Sequence, residues 1–396
     1  MQNLTLNSDD SIAQLRRSWA IFIMISLIFV SCGAWLMSTA WQGAAALRWS
    51  LLTSVVLFYL AVVLWRNLNQ NRRSETDPLS PGLGWGNWIT LLRGVLTAGV
   101  AGFLLLPRPE GWLAWMPAIL YTLAVIADAL DGFLARRFNQ VTRLGSILDL
   151  SFDGLGVLAA ALLLVVYDRV PPWYALVALA RYLFLAGQWL LTRSGKNLYP
   201  LPPKTSRRIL ASLQFVFIAV VLYPVFIPPL TWFAAIFFGI PFLIGFVSDF
   251  LIISGTLRPA AGLKSSLPYL PAAQIALRTG LVILTLLSFR QTWSDVLGDA
   301  WLGPALLFVQ LFAALFVFLG IAGRISAGFA LVALGLSQWF FPPSIIQILQ
   351  IAGYTAVLFL STGPFSLWSP EEAWYERPIG THQPSRKRHI QNETTA

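Results

Sequence analysis

The chain has 396 residues, 57% of them hydrophobic and only 11% charged, with a mean hydropathy of +0.69. That composition lies outside the range of soluble globular domains and defines an integral membrane protein. The net charge of +10 is spread over many short connections, which reads as a topology signal and not as a nucleic-acid surface, and the one cysteine, Cys32, excludes an internal disulfide or a multi-cysteine zinc site.

The polar start MQNLTLNSDDSIAQLRRSW precedes an apolar run from Ala20 to about Ala40, too long for a signal-peptide core and read as a retained anchor. Phe29-Val30-Ser31-Cys32 resembles a lipidated-cysteine cleavage site, but loss of the first helix would invert every later segment against the charge pattern. About twelve spans are expected, at 19–40, 49–65, 88–106, 114–135, 146–167, 173–192, 208–227, 231–254, 272–289, 302–321, 325–341 and 344–362. With both termini cytoplasmic, 20 of the 27 basic residues fall inside and 4 outside, the other 3 being within or beside spans. This orientation puts the turn from Asn139 to Leu144 at the cytoplasmic face.

The chain divides into a tail and two-helix hairpin (1–66), a linker (67–84), a six-span block (85–255), a second linker (256–271), a four-span module (272–363) and a tail (364–396). The first linker, RNLNQNRRSETDPLSPGLG, reads as flexible from its Pro, Gly and mixed charge. The last tail, ending SRKRHIQNETTA, reads as disordered and holds both histidines, His382 and His389. A histidine-based catalytic device is therefore not expected.

The chemistry concentrates in DALDGFLARRFNQVTRLGSILDLSFD. Asp128 and Asp131 are three apart and Asp149 and Asp153 four apart, so each pair shares a helix face, and a short turn makes the two helices antiparallel. Four converging carboxylates repel unless cations lie between them, and oxygen-only ligands favour a hard divalent ion, Mg²⁺ or Mn²⁺. Gly132 and Ala135 leave a bare face for close approach, and Arg136 stands one turn on, placed to pair with a phosphate. Isolated intramembrane charges such as Asp249 and Arg278 read instead as helix-to-helix bridges or parts of an ion pathway.

Asp128-x2-Asp131-Gly132-x2-Ala135-Arg136-x8-Gly145-x3-Asp149-x3-Asp153 resembles, at all eight fixed positions, the signature of the CDP-alcohol phosphatidyltransferases. The resemblance covers residues 85 to 255. It implies a six-helix membrane core, which with the about twelve expected spans makes the chain an all-α integral membrane protein. It also implies displacement of CMP from CDP-diacylglycerol by the hydroxyl of a small alcohol, at a site that the charge distribution places on the cytoplasmic face of the plasma or inner membrane. Two divalent cations, Mg²⁺ or Mn²⁺, would be held by Asp128, Asp131, Asp149 and Asp153, and Asp153 would also be the general base.

The CDP-lipid would be held by Gly132, Ala135, Arg136, Thr142 and Gly145. Asn87 and Thr90, in a stretch similar to the family's Asn-x-x-Thr-x-x-Arg segment that ends here at Arg93, would join them; the proline usual before that asparagine is Gly86 here. Arg181, Lys204 and Arg207 stand where members with phosphorylated acceptors bind the acceptor phosphate, although Lys204 and Arg207 also fit a plain cytoplasmic helix end that attracts anionic lipid. The partners implied are CDP-diacylglycerol, a small alcohol, membrane lipid and a second copy of the chain in a homodimer, with no nucleic acid. An unphosphorylated acceptor is the alternative within the class; a cation transporter or channel using the aspartates is the alternative outside it. The last block, with Ala322-Gly323-Arg324-Ile325-Ser326-Ala327-Gly328 at a tight turn, resembles small four-helix DoxX-like membrane proteins, and no activity is derived from that.

Overall fold

The computed structural model describes residues 8–138, 140–201, 205–257, 270–296, 301–360, 363 and 365–369. The described residues contain twelve α-helices, joined by short 3-10 turns and loops, and no β-strand: α1 (Ser8–Ala40), α2 (Gly43–Asn67), α3 (Gly84–Gly102), α4 (Met116–Arg137), α5 (Arg143–Val166), α6 (Ala175–Arg193), α7 (Thr205–Leu222), α8 (Leu230–Ile253), α9 (Leu270–Val296), α10 (Leu302–Leu319), α11 (Gly323–Ser337) and α12 (Ile345–Leu360). In a bilayer every backbone polar group must be satisfied within the segment, and helices do this for each apolar run.

Nine of these helices are long and apolar enough to cross a membrane. The other three fall short of the roughly 20 residues a span needs. In α7 the apolar stretch is Ile209–Leu222, and α11 and α12 have 15 and 16 residues. The seventh span was expected to reach residue 227; the helix ends at Leu222 because Pro224 excludes the helical conformation from the residue before it. The first helix starts earlier than expected, because its extension is amphipathic: Ser11, Leu15, Phe22 and Ser26 recur at helical spacing and are all buried.

The hairpin α1–α2 shares its core with the six-span block. Leu15 and Phe22 of α1, Leu57, Leu60 and Leu64 of α2, Leu91 and Val95 of α3, and Leu144, Leu148 and Phe152 of α5 form one buried cluster. Trp49 of α2 wedges onto α3, donating its indole N–H to the Gly99 carbonyl at 3.0 Å. A Cβ on Gly102 would stand 2.6 Å from Trp49 Cδ1, so the wedge depends on a residue without a side chain there. As a result α3 is enclosed, with every residue from Arg93 to Gly102 buried.

A second, larger cluster joins the six-span block to the carboxyl-terminal module. It runs from Tyr174, Phe217 and Phe238 to Ile351, Tyr354 and Val357 of α12. Trp339 donates its indole N–H to the Val225 carbonyl at 2.6 Å, which ties the end of α11 to the α7–α8 connection.

The linker read as flexible and part of the tail read as disordered are held by hydrogen bonds. The first linker is folded around Asn71, which is fully buried. Of the last tail, residues 365–369 lie on the turn between α10 and α11: Ala322 N–H donates to the Trp368 carbonyl at 2.7 Å and Trp368 N–H to the Gly320 carbonyl at 3.2 Å. Arg278 of α9 reaches the same segment, donating through Nη2 to Ser366 Oγ at 3.1 Å, so it bridges elements as expected of an intramembrane arginine. The rest of that tail, with both histidines, lies outside the described residues.

Candidate active site

The site forms where the amino-terminal half of α3, the carboxyl-terminal end of α4 and the amino-terminal half of α5 meet. Thr142 starts α5 as its N-cap: its backbone is extended and its hydroxyl oxygen accepts the Gly145 N–H at 3.1 Å, satisfying a donor the first turn cannot pair internally. The cap sets the angle at which α5 leaves the turn. About two and three helical turns after the cap come Asp149 and Asp153.

Arg93 of α3 stands at the centre of all four aspartates. Its Nη1 contacts Asp128 Oδ1 and lies 2.7 Å from Asp153 Oδ1, while Nη2 lies 2.7 Å from Asp149 Oδ1 and 3.8 Å from Asp131 Oδ2. Thr90, one turn earlier on α3, donates its hydroxyl to Asp131 Oδ2 at 2.9 Å. The Arg93 side chain is 5% exposed against 49% for Asp149 and 36% for Asp128, so the guanidinium is sealed beneath and the carboxylates open outwards. The sequence reading left Arg93 as the end of the Asn87–Arg93 segment with no role of its own; its place among the carboxylates follows from α3 crossing both aspartate helices.

The donor set fits a hard divalent ion. Carboxylate oxygens of Asp128, Asp131 and Asp149 lie within 4.8 Å of one another. All are oxygen donors, the type that Mg²⁺ and Mn²⁺ take. Asp153 joins the group through its shared partner Arg93.

A cavity of about 200 Å³ opens beside Asp131 and Asp149. Gly86, Asn87, Thr90, Gly132, Thr142 and Gly145 line it, which brings together five of the residues the resemblance assigned to the CDP-lipid. The side chains of Ala135 and Arg136 lie outside the described residues, although both belong to α4. Sequence reasoning missed Gln140 and Ser146, which also line the cavity; Gln140 accepts the Trp85 N–H at 3.0 Å and so clamps the start of α3 to the α4–α5 turn. A glutamine in a turn carries no periodic or spacing signal that would have marked it.

The acceptor residues separate. Arg181 of α6 lies against α5 beside Asp153: a Cβ on Gly154 would stand 2.9 Å from Arg181 Nε. Arg207 is turned to Asp249 of α8, with Nη2 donating to Oδ1 at 3.0 Å, so Asp249 is a helix-to-helix bridge. Lys204 lies outside the described residues. A larger cavity of about 390 Å³ between α7–α8 and α11–α12 is lined almost wholly by apolar side chains and includes none of the aspartates.

An all-helical membrane fold with a carboxylate cluster beside a polar cavity defines a class of membrane protein equipped to bind divalent ions and a phosphorylated ligand at one face. Residues 84–247 match the family model for CDP-alcohol phosphatidyltransferase. The chain is similar to the CDP-diacylglycerol–glycerol-3-phosphate 3-phosphatidyltransferase of Cereibacter sphaeroides, 35% identical over 105 residues, which are 26% of this chain and 47% of the relative. It is similar to the CMP-forming cardiolipin synthase of Streptomyces coelicolor, 37% identical over 146 residues, 35% of this chain and 61% of the relative. It is also similar to the CDP-diacylglycerol–glycerol-3-phosphate 3-phosphatidyltransferase of Bacillus subtilis, 40% identical over 70 residues, 18% of this chain and 36% of the relative. The chain spans about half the length of the curated relatives it matches. No solved structure matches it. Residues 84–247 are thus a domain of the CDP-alcohol phosphatidyltransferase family.

Proposed function

We propose that the protein transfers a phosphatidyl group from CDP-diacylglycerol to the hydroxyl of a small phosphorylated alcohol, of the glycerol phosphate or inositol phosphate type, and releases CMP. The observation that carries this reading is the convergence of Asp128, Asp131, Asp149 and Asp153 beside a cavity lined by Asn87, Thr90, Thr142 and Gly145. The reaction belongs to phospholipid biosynthesis. It runs at the cytoplasmic face of the plasma or inner membrane, as the distribution of basic residues indicates.

The acceptor oxygen attacks the lipid-side phosphorus, the bond from that phosphorus to the bridging oxygen breaks, and CMP leaves with the oxygen. Asp153 takes the hydroxyl proton as the attack proceeds. Asp128, Asp131, Asp149 and Asp153 would hold two divalent ions, Mg²⁺ or Mn²⁺, whose charge offsets that of the pyrophosphate and of the departing CMP. Asn87, Thr90, Gly132, Thr142 and Gly145, with Ala135 and Arg136, hold the cytidine diphosphate. Arg181, beside Gly154 and hence beside Asp153, supports a phosphorylated acceptor, because a half-buried guanidinium next to the base suits a phosphate better than a neutral polyol. Lys204 belongs to that subsite in this reading, Arg207 joins it only on release from Asp249, and the protein works as a homodimer.

Purified protein given CDP-diacylglycerol, Mg²⁺ or Mn²⁺ and a panel of phosphorylated and unphosphorylated alcohols should release CMP with a phosphorylated acceptor. No release with any alcohol would refute the enzyme. Cation flux in proteoliposomes that Asp131→Ala abolishes, without CMP release, would replace it with a transporter. Light scattering on the detergent-solubilised protein checks the dimer.

A further inference from the structure

The family domain begins at residue 84, yet one polar contact to its cavity comes from outside it. Asn71 follows α2 and is fully buried. Its side-chain amide donates one proton to the Ser80 carbonyl at 3.0 Å and the other to the Gly82 carbonyl at 2.8 Å. Both donors are thereby spent on acceptors that cannot reverse, which fixes the sense of the amide and leaves Asn71 Oδ1 as an acceptor. That oxygen takes a hydrogen bond from Asn87 Nδ2 at 3.3 Å.

The constraint passes to Asn87. Its second Nδ2 proton goes to Thr142 Oγ1 at 3.2 Å, so both of its donors are spent as well. Asn87 lines the cavity, and its remaining polar atom, Oδ1, lies 2.6 Å from the position a Cβ on Gly145 would take, on the cavity-lining side of α5. The next linker residue reinforces the arrangement from the other wall, since the Arg72 carbonyl accepts the Arg143 N–H at 2.8 Å where α5 begins.

We infer that Asn71 is a positioning residue for the nucleotide: by fixing the sense of the Asn87 amide it makes the cavity present an acceptor oxygen to a donor group of cytidine. This rests on the reading of the cavity as a nucleotide pocket. Cytidine offers two kinds of donor, the exocyclic amine of the base and the ribose hydroxyls. The amino-terminal hairpin and its linker are therefore part of the substrate site, delivering Asn71 to a domain that lacks it.

The full-length protein in detergent is titrated with CMP and with UMP by calorimetry, as wild type, Asn71→Ala, Asn87→Ala and the double variant. Asn71→Ala should weaken CMP binding about five- to tenfold, the equivalent of one lost hydrogen bond. The same variant should raise KM for CDP-diacylglycerol by a similar factor while kcat and the acceptor KM hold, a split that general loosening of the fold would not give. In the Asn87→Ala background the Asn71 substitution should cost nothing further. Loss confined to CMP assigns the donor to the base amine, and equal loss for CMP and UMP assigns it to the ribose. If Asn71→Ala does not accumulate folded, Asn71→Ser, which keeps a donor for the Ser80 and Gly82 carbonyls but cannot reach Asn87, replaces it. Unchanged CMP affinity, or additive effects of the two substitutions, overturns the inference. Absence of CMP binding by the wild type overturns the nucleotide pocket itself.

Discussion

The carboxylate site between α3, α4 and α5 and the interior of the carboxyl-terminal module both bury polar side chains among apolar helices, but they dispose of them differently. In the module, Thr285 of α9 shares a hydrogen bond with the Tyr354 hydroxyl at 3.0 Å, and Gln350 of α12 donates to Thr285 Oγ1 at 3.1 Å. These groups are neutral and tie two helices together, the use that membrane helices commonly make of buried polar residues. Between α3, α4 and α5 one guanidinium faces four carboxylates, which leaves an excess of negative charge open to a polar cavity. Neutral pairing holds helices together, whereas unbalanced charge beside a cavity requires a ligand.

The largest expected effect separates the two regions outright. Asp153→Asn keeps the volume and the contact with Arg93 but removes the carboxylate proposed as the proton acceptor, so CMP release should fall by about a thousandfold or more while the melting temperature holds. A radiolabelled CMP-release assay with thermal unfolding in the same detergent measures both. Residual activity within tenfold of wild type would take the general base away from Asp153.

Arg93→Met tests the charge balance from the opposite side. Without the guanidinium the carboxylates on α4 and α5 face one another, and breaking a buried pair in this way costs about 3–5 kcal/mol. The melting temperature should fall steeply and should recover more on adding millimolar Mg²⁺ than that of the wild type does. Equal Mg²⁺ responses in the two proteins would show that the guanidinium and the ions do not address the same carboxylates.

Gly145→Ala comes next. The new Cβ would stand 2.6 Å from Asn87 Oδ1, closer than real side chains approach, so Asn87 must move out of the pocket wall. The expected result is a rise of about tenfold in KM for CDP-diacylglycerol at nearly constant kcat, read from initial rates at saturating acceptor. An unchanged KM would detach Asn87 from nucleotide binding.

What the sequence disclosed follows the range of the interactions concerned. Spans are legible because hydropathy is local, and the four aspartates are legible because spacings of three and four put each pair on one face. The place of Arg93 was not, since α3 is apolar around most of its circumference and offers no single apolar stripe to say which side meets α4 and α5. The pairing of Arg207 with Asp249 joins residues 42 apart, which no local pattern anticipates. The linker misled for a different reason. Pro, Gly and mixed charge do usually mark a flexible connection, but here a single asparagine satisfies two main-chain carbonyls and orders the segment around itself.

The smallest effect is expected in the module. Thr285→Val keeps the shape of the side chain and removes the hydroxyl, leaving the Tyr354 hydroxyl and a Gln350 amide proton without that partner at a buried position. Interhelical hydrogen bonds of this kind average about 0.6 kcal/mol in membranes and do not exceed about 2 kcal/mol. The melting temperature should therefore drop only slightly, while KM and kcat stay as in the wild type, because α9 contributes no residue to the carboxylate site or its cavity. If Thr285→Val instead lowered kcat with little loss of stability, the module would be coupled to catalysis through the large apolar cluster that α12 shares with the six-span block. The two polar regions would then be parts of one device, and neutral pairing in this protein would serve more than helix association.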